Sequence, residues 1–266
     1  TERLPGMWVR TFKPCDADDP RHSKQVLMGG KLQWARAKSR LAVGGHPQKK
    51  RTGEPTDCPS ATGREMRIVS SVAAEMGWDV ESTDVSQAFC QAHGWHYMVA
   101  VKMPAGGWGE GKYLDLETHM HGLPASPTHW WLSVKDSMEA LGLTNLRALP
   151  TIFVLKEKTG LKGLCALTTD DFFSAGSERF KMVMKELFGL YATTPTQQAP
   201  FTHVGLDVEQ NKDTHTVTIS SRRYIECTSL IKVPWPKATD EEALEEEELT
   251  EFQRTLGKVG FPTQAV

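Results

Sequence analysis

Thr168-Thr169-Asp170-Asp171-Phe172-Phe173 sets two adjacent carboxylates between strand-like apolar segments. Immediately upstream, Thr151-Ile152-Phe153-Val154-Leu155, the turn Lys156-Glu157-Lys158-Thr159-Gly160 and Leu161 to Thr169 predict a hairpin whose second strand ends at the acidic pair. Downstream, Ser177 to Tyr191 predicts a helix with Phe180, Val183, Met184, Leu187 and Phe188 facing inward. An Asp-Asp dipeptide by itself is most often a solvated turn or a helix cap. Asp84 gives this one more meaning, because it closes a strand predicted over Trp78 to Val85, within Ser82-Thr83-Asp84-Val85-Ser86-Gln87-Ala88-Phe89. Three converging carboxylates offer the oxygen ligands that hard divalent ions require. Adjacent aspartates on a straight strand point to opposite faces, so only a bend lets both approach one site. Without metal the three would repel one another and raise at least one pKa.

The flanking segments give an α+β order. Residues 1–30 hold Pro5, Pro14, Pro20 and the acidic turn Asp16-Ala17-Asp18-Asp19, and predict a loosely held arm with one edge strand. Alternation across Leu32 to Val43 predicts a strand that lines up Arg36, Lys38 and Arg40 on one face. A loop rich in Gly, Pro, Lys and Thr over 45–60 precedes a helix expected to be capped by Ser60 and stopped by Gly77. Ala88-Phe89-Cys90 reads as a turn or short helix and His96 to Met103 as a strand. After a start signal at Ser126, His129 to Leu141 predicts an amphipathic helix with Trp130, Trp131, Val134, Met138 and Leu141 on one face. Phe201 to Glu209 and Thr214 to Ser220 predict a second hairpin across Asn211-Lys212-Asp213, followed by a short helix from Arg222 to Ile231. There is no βαβ repeat and no glycine-rich phosphate loop.

Composition narrows the class. A chain of 266 residues with 24% charged and 39% hydrophobic content suits one large globular domain or two packed subdomains. No apolar run approaches the roughly 20 residues needed to span a bilayer, and Thr1-Glu2-Arg3-Leu4-Pro5 lacks the order of a signal peptide. The expected location is intracellular, cytoplasmic or nuclear, with no membrane partner. Five cysteines, an odd number without a CxxC pair, read as free thiols. Eight acids fall within 240–251, read as a solvated helix; without 240–266 the remaining chain has 29 basic and 25 acidic residues. His93-Gly94-Trp95-His96 and His119-Met120-His121 lack cysteine or carboxylate partners at zinc spacing and read as loop histidines.

Six collinear segments carry a resemblance: Lys38-Ser39-Arg40-Leu41-Ala42, Asp84-Val85-Ser86-Gln87-Ala88-Phe89, His121-Gly122-Leu123-Pro124-Ala125-Ser126-Pro127-Thr128-His129-Trp130, Thr169-Asp170-Asp171, Val204-Gly205-Leu206-Asp207-Val208-Glu209 and Ser220-Ser221-Arg222-Arg223-Tyr224-Ile225. In order and spacing they resemble the motifs of copia-type retrotransposon reverse transcriptases. The resemblance implies an α+β right-hand polymerase, with basic fingers and a palm whose antiparallel sheet is backed by helices. It divides the chain into an arm (1–30), fingers and palm (31–239) and an acidic helix that begins a thumb or connection region (240–266). The implied activity is RNA-directed DNA synthesis by two Mg²⁺ ions, with Mn²⁺ as a substitute, on a primer annealed to an RNA or DNA template. Asp84, Asp170 and Asp171 would be catalytic and, with the Val85 carbonyl, would hold the metals. Lys38 and Arg40 would meet the triphosphate of the incoming deoxynucleotide, and Phe89 would crowd the sugar 2′-position. Ala125 stands where the family has a glutamine near the nucleotide. Other departures are Thr168-Thr169 for Tyr-Val, Met120-His121-Gly122 for Leu-Tyr-Gly, and Gly45-His46 for Gly-Phe or Gly-Tyr. They imply an alternative, a catalytically decayed or domesticated domain that binds nucleic acid or a protein partner.

Overall fold

Glu2–Pro14 (β1) and Lys31–Val43 (β3) pair antiparallel from Gly6↔Val43 to Pro14↔Ala35, and Lys24–Met28 (β2) adds to the free side of β3. The computed structural model describes residues 2–15, 20, 24–28, 31–45, 56–226 and 246–265. Residues 2–5 of β1 run parallel to Val99–Lys102, and that strand pairs with Tyr113–Asp115. β1 is therefore interior to a five-stranded sheet, where the prolines of this segment predict a loose arm with one edge strand. The prolines fall where no ladder N–H is missed: Pro5 ends the pairing with Val99–Lys102, and Pro14 ends the pairing with β3.

Gly63–Met76 (α1) is capped by Thr62, not Ser60. The Thr62 hydroxyl and N–H both donate to Glu65 Oε2, at 2.6 and 2.8 Å, and the Arg64 N–H donates to Thr62 Oγ1 at 3.3 Å. Thr62 has a glutamate three residues on, whereas Ser60 has Gly63 there, so the capping box selects Thr62. Gly77 ends the helix in the left-handed region at φ 66°, as expected of a stop.

The next elements form the second sheet. Val80–Asp84 (β4) leads through a 3₁₀ turn, Ala88–Gln91, to β5 (Val99–Lys102) and β6 (Tyr113–Asp115) of the first sheet. Ser126–Ala140 (α2), Leu143–Leu146 (β7), Leu149–Glu157 (β8), Gly160–Thr168 (β9), Asp171–Gly176 (β10) and Glu178–Gly189 (α3) follow. With Gln197–Gln198 (β11), the order across the second sheet is β11-β4-β10-β9-β8-β7. Alternation gives this sheet two apolar faces. Phe153, Cys165, Leu167 and Phe172 pack against Trp130, Val134 and Met138 of α2 and Val183 and Leu187 of α3. Ile152, Leu164, Ala166 and Phe173 pack against Met66, Val69 and Ala73 of α1. Gly163 and Gly176 are paired neighbours on β9 and β10, and a Cβ on either would fall on the Phe180 ring. Their bare backbones form the slot that seats α3.

Residues 201–220 depart from a two-stranded hairpin. Phe201–His203 (β12), Leu206–Gln210 (β13) and Val217–Ser220 (β14) form a three-stranded sheet, because His203↔Leu206 closes a two-residue turn at Val204-Gly205. Both turn residues have positive φ, 48° and 80°, as a type I′ turn demands. A β-branched residue is strained there, which is why the sequence gives no turn signal. Val204→Asn, which creates Asn-Gly, is expected to stabilise the protein by about 1 kcal/mol, read as a Tm rise of about 2–4 °C. An unchanged Tm would show that the strain is not stored at this turn.

Arg222–Glu226 (α4) matches the start of the short helix expected to Ile231, and residues 227–231 lie outside those described. Glu246–Ala265 (α5) takes up the later part of the acidic stretch, and 240–245 likewise lie outside. Among the described residues no helix is long and apolar enough to cross a membrane. The described cysteines Cys15, Cys58, Cys90 and Cys165 are in no disulfide, and Cys227 lies outside the described residues.

Candidate metal centre and its cleft

Sheet register brings two of the carboxylates together. Asp84, the last residue of β4, stands directly opposite Asp171, the first residue of β10. Like charges in that relation repel. Asp170 joins them from the turn: Thr168↔Asp171 closes a two-residue connection through Thr169-Asp170, with Thr169 left-handed at φ 53°. This is the bend that adjacent aspartates need in order to share a site. Carboxylate oxygens of Asp84, Asp170 and Asp171 all lie within 4.8 Å of one another. No other group of three or more His, Cys, Asp or Glu among the described residues converges in this way.

The strained turn is pinned from both sides. The Val85 N–H donates to the Asp170 carbonyl at 2.8 Å, tying the end of β4 to the turn. Trp130, fully buried on α2, donates its Nε1–H to the Thr169 carbonyl at 2.6 Å. Thr168 directs its hydroxyl to the Ala61 carbonyl at 3.4 Å. Trp130→Phe keeps most of the ring volume and strands the Thr169 carbonyl. It is expected to cost about 1–3 kcal/mol in urea denaturation and to weaken metal affinity by loosening Asp170. A variant with wild-type stability would remove Trp130 from the list of supports.

The triad opens on a cleft of about 670 Å³ whose facing wall is cationic, with Lys13, Lys38 and Arg40. Pairing explains that wall: Val9, Thr11 and Lys13 of β1 stand opposite Arg40, Lys38 and Arg36 of β3, so the cations share one face. Lys13 was not singled out by sequence reasoning. Its signal, the alternation of Val9, Thr11 and Lys13, becomes readable only once β1 is known to pair with β3. Burial, then Lys13 and Arg40, lower the Lys38 pKa, while Asp84 opposes them. Burial, then Asp170 and Asp84, push Asp171 up to about 7. Burial and then Asp170 also raise Asp84, against the pull of Lys38, Lys13 and Arg40.

The other expected residues are distributed unevenly. Val85 lines the cleft beside Asp84. Phe89 does not line it: the ring is half-buried, packed on His121 with centroids 4.8 Å apart. Ala125 is also outside the lining and serves as the N-cap of α2, without a side-chain cap bond. His121 sits in a turn, as expected of a loop histidine, and also lines the cleft. His119 lies in the same irregular segment, as expected of a loop histidine, but is enclosed. It is fully buried, stacked on His129 at 4.3 Å and edge-on to Trp95, and burial followed by His129 lowers its pKa to about 4. Of the Trp pair, Trp130 is core and Trp131 is partly buried against it.

A family model described as "Reverse transcriptase (RNA-dependent DNA polymerase)" matches residues 19–232. No curated protein matches the chain. Among solved structures it is similar to apo telomerase from Candida tropicalis, truncated from its C-terminal domain, with 11% identity and a TM-score of 0.33. That likeness covers 80% of this chain and 57% of the telomerase chain.

Proposed function

Because the chain belongs to the copia-type reverse transcriptase (RNA-dependent DNA polymerase) family, we propose that it adds deoxynucleotides to a primer 3′-hydroxyl on an RNA or DNA template. One observation carries this reading: three carboxylates within 4.8 Å of one another face Lys13, Lys38 and Arg40 across a single cleft. On this reading the six-stranded sheet with its helices is the palm, and the five-stranded sheet, β1 included, supplies the fingers. Residues 31–239 then form the fingers and palm together with β1 and β2 of the arm, and 240–266 begin the thumb or connection region.

The donor set fits a hard divalent ion. It is made of oxygen alone, and burial first, then repulsion from Asp170 and Asp84, pushes Asp171 up to about 7. Asp84, Asp170, Asp171 and the Val85 carbonyl would hold two Mg²⁺ ions, for which Mn²⁺ can substitute. Such ions activate an attacking hydroxyl and neutralise charge on the transferring phosphoryl group. The chain's own part is positioning. Lys38 and Arg40, with Lys13 beside them, set fixed positive charge where a triphosphate must lie, and the carboxylate side receives the primer end. Trp130 and Val85 keep the Asp170 turn from relaxing away from the cleft.

Primer extension on matched RNA and DNA templates tests the proposal. Extension is expected with Mg²⁺ or Mn²⁺ and is expected to vanish in Asp170→Asn. A purified, folded protein that extends neither template under either metal would sink it. A second reading, a decayed or domesticated binding module, is favoured by Ala125, whose position outside the cleft lining leaves no side chain where the family has a glutamine. It predicts salt-sensitive primer–template binding without incorporation, lost when Lys38 and Arg40 are neutralised. Restoring Ala125→Gln and Thr168→Tyr separates the two, since a gain of activity identifies decay.

A further inference from the structure

Trp108 is the most exposed large apolar side chain among the described residues, at 77%. Tryptophan is among the largest side chains and is usually well buried, so a bare one is informative. It stands in the connection from β5 to β6, within Gly106-Gly107-Trp108-Gly109-Glu110-Gly111, whose four glycines give the ring no cover. The backbone beneath the ring is nonetheless held. The Met103 N–H donates to the Lys112 carbonyl at 2.8 Å and the Gly111 N–H to the Met103 carbonyl at 3.1 Å, which closes the base of the loop. Arg10 donates from Nη2 to the Gly106 carbonyl at 3.1 Å. Gly107 packs so closely on the Trp8 ring that a Cβ there would fall on it.

The charges around this loop say what kind of surface it is. Lys102 and Lys112 are exposed at its two ends, and the Arg10 guanidinium lies against Gly106. The carboxylate nearest to them, that of Glu110, accepts the Gly106 N–H at 3.2 Å. Tyr113, which follows Lys112, is half exposed, with the Arg3 guanidinium 5.1 Å from its ring centre. Exposed rings interleaved with cations suit a single-stranded nucleic acid, whose bases stack on the rings while its phosphates meet the cations. An apolar protein surface would leave the same cations without counter-charge. The loop is separate from the metal-centre cleft, whose lining includes no residue of 103–112. Strand alternation explains the separation: Trp8 and Arg10 turn to the side of β1 opposite to Val9, Thr11 and Lys13.

We infer that the Trp108 loop is a stacking platform for an unpaired stretch of the template strand, with Lys102, Lys112 and Arg10 meeting its phosphates. This rests on the polymerase reading and adds to it a nucleic-acid contact on the β5–β6 connection, apart from the site of chemistry.

The test compares two primer–templates of the same duplex sequence, one with an unpaired 5′ template overhang and one blunt-ended. Their affinities for wild type, Trp108→Ala, Trp108→Phe and the double variant Lys102→Gln/Lys112→Gln are measured without metal or nucleotide. Trp108→Ala is expected to weaken the overhang substrate about fivefold to a hundredfold, the loss of one stacked base, and to leave the blunt duplex unchanged. Trp108→Phe should retain most of the preference for the overhang. The double lysine variant should lower the salt dependence of overhang binding by about one to two in log–log slope. Equal affinity of wild type and Trp108→Ala for the overhang substrate overturns the inference and returns Trp108 to a protein contact. Equal weakening of both substrates also overturns it. Primer extension by wild type on the same overhang substrate reads the polymerase proposal separately, so either can fail without the other.

Discussion

Asp171→Asn is expected to make the metal-free protein more stable and, on the polymerase reading, to cut nucleotide addition by about a thousandfold or more. The two effects share one cause. Asp171 stands directly opposite Asp84 in the sheet, with Asp170 adjacent in the turn. Burial first, and then these two carboxylates, push its pKa up to about 7 from an ordinary value of 3.8. Between those values the folded chain keeps a proton that the unfolded chain has released, so metal-free stability falls as pH rises from about 4 to about 7. Asparagine has no proton to lose, so the variant should lack this part of the slope and melt higher than wild type at pH 8. A divalent ion reverses the balance, because its ligands must be deprotonated. Wild type should therefore gain more Tm from Mg²⁺ at pH 8 than at pH 5.5, and Asp171→Asn little at either. Loss of an ion that contributes several kcal/mol to transition-state charge stabilisation corresponds to roughly three powers of ten in rate at about 1.4 kcal/mol each. Parallel melting curves for the two proteins across pH 4–8 would show that burial and the neighbouring carboxylates do not raise the Asp171 pKa.

What could be read in the sequence follows from the range of the interactions involved. Local patterns were enough for the strands about Ile152 and Leu164, for α2 and α3, and for the Gly77 stop, since each depends on periodicity or one backbone conformation. They also gave the Asp170-Asp171 bend, because period-two geometry requires one. β1 was misjudged because its prolines suggest a broken strand, and their harmlessness depends on where one ladder ends and the next begins. Lys13 stayed hidden for the same reason: only pairing with β3 puts it on the face of Lys38. Val204 concealed a turn because a β-branched residue at positive φ runs against local preference, and closure of β12 on β13 overrides it. His119 is a loop histidine, but its burial is hidden from the sequence, because nothing in its neighbours foretells His129 and Trp95 around it. Phe89 and Ala125 were named by resemblance alone, and the structure places neither in the cleft lining.

Gly122→Ala is expected to be among the most damaging single methyl additions in the chain, at about 2–5 kcal/mol. Two costs add. Gly122 has φ 94°, outside the range that L side chains adopt readily, which costs about 1–2 kcal/mol. Its added Cβ would fall on the Val43 carbonyl oxygen, and overpacking of that kind costs about 1–3 kcal/mol. The neighbour cannot swing aside as a flexible side chain would, because it is backbone. Val43 is tied to this segment by its N–H bond to the His121 carbonyl at 2.7 Å, and Gly45 closes on Gly122 from the other side. Relief must come from moving the end of β3, and with it the strand that presents Arg40 and Lys38 to the cleft. The variant should therefore lose urea stability and, in the surviving folded fraction, bind nucleotide more weakly. Gly189→Ala is the matched control: an added Cβ there meets nothing within 4 Å, and the glycine ends α3. Helix propensity predicts a gain of up to about 1 kcal/mol for it. If Gly122→Ala denatured at the same urea midpoint as wild type, the end of β3 would be free to shift. The cationic wall would then be positioned by its sheet alone, without help from the loop that carries His121.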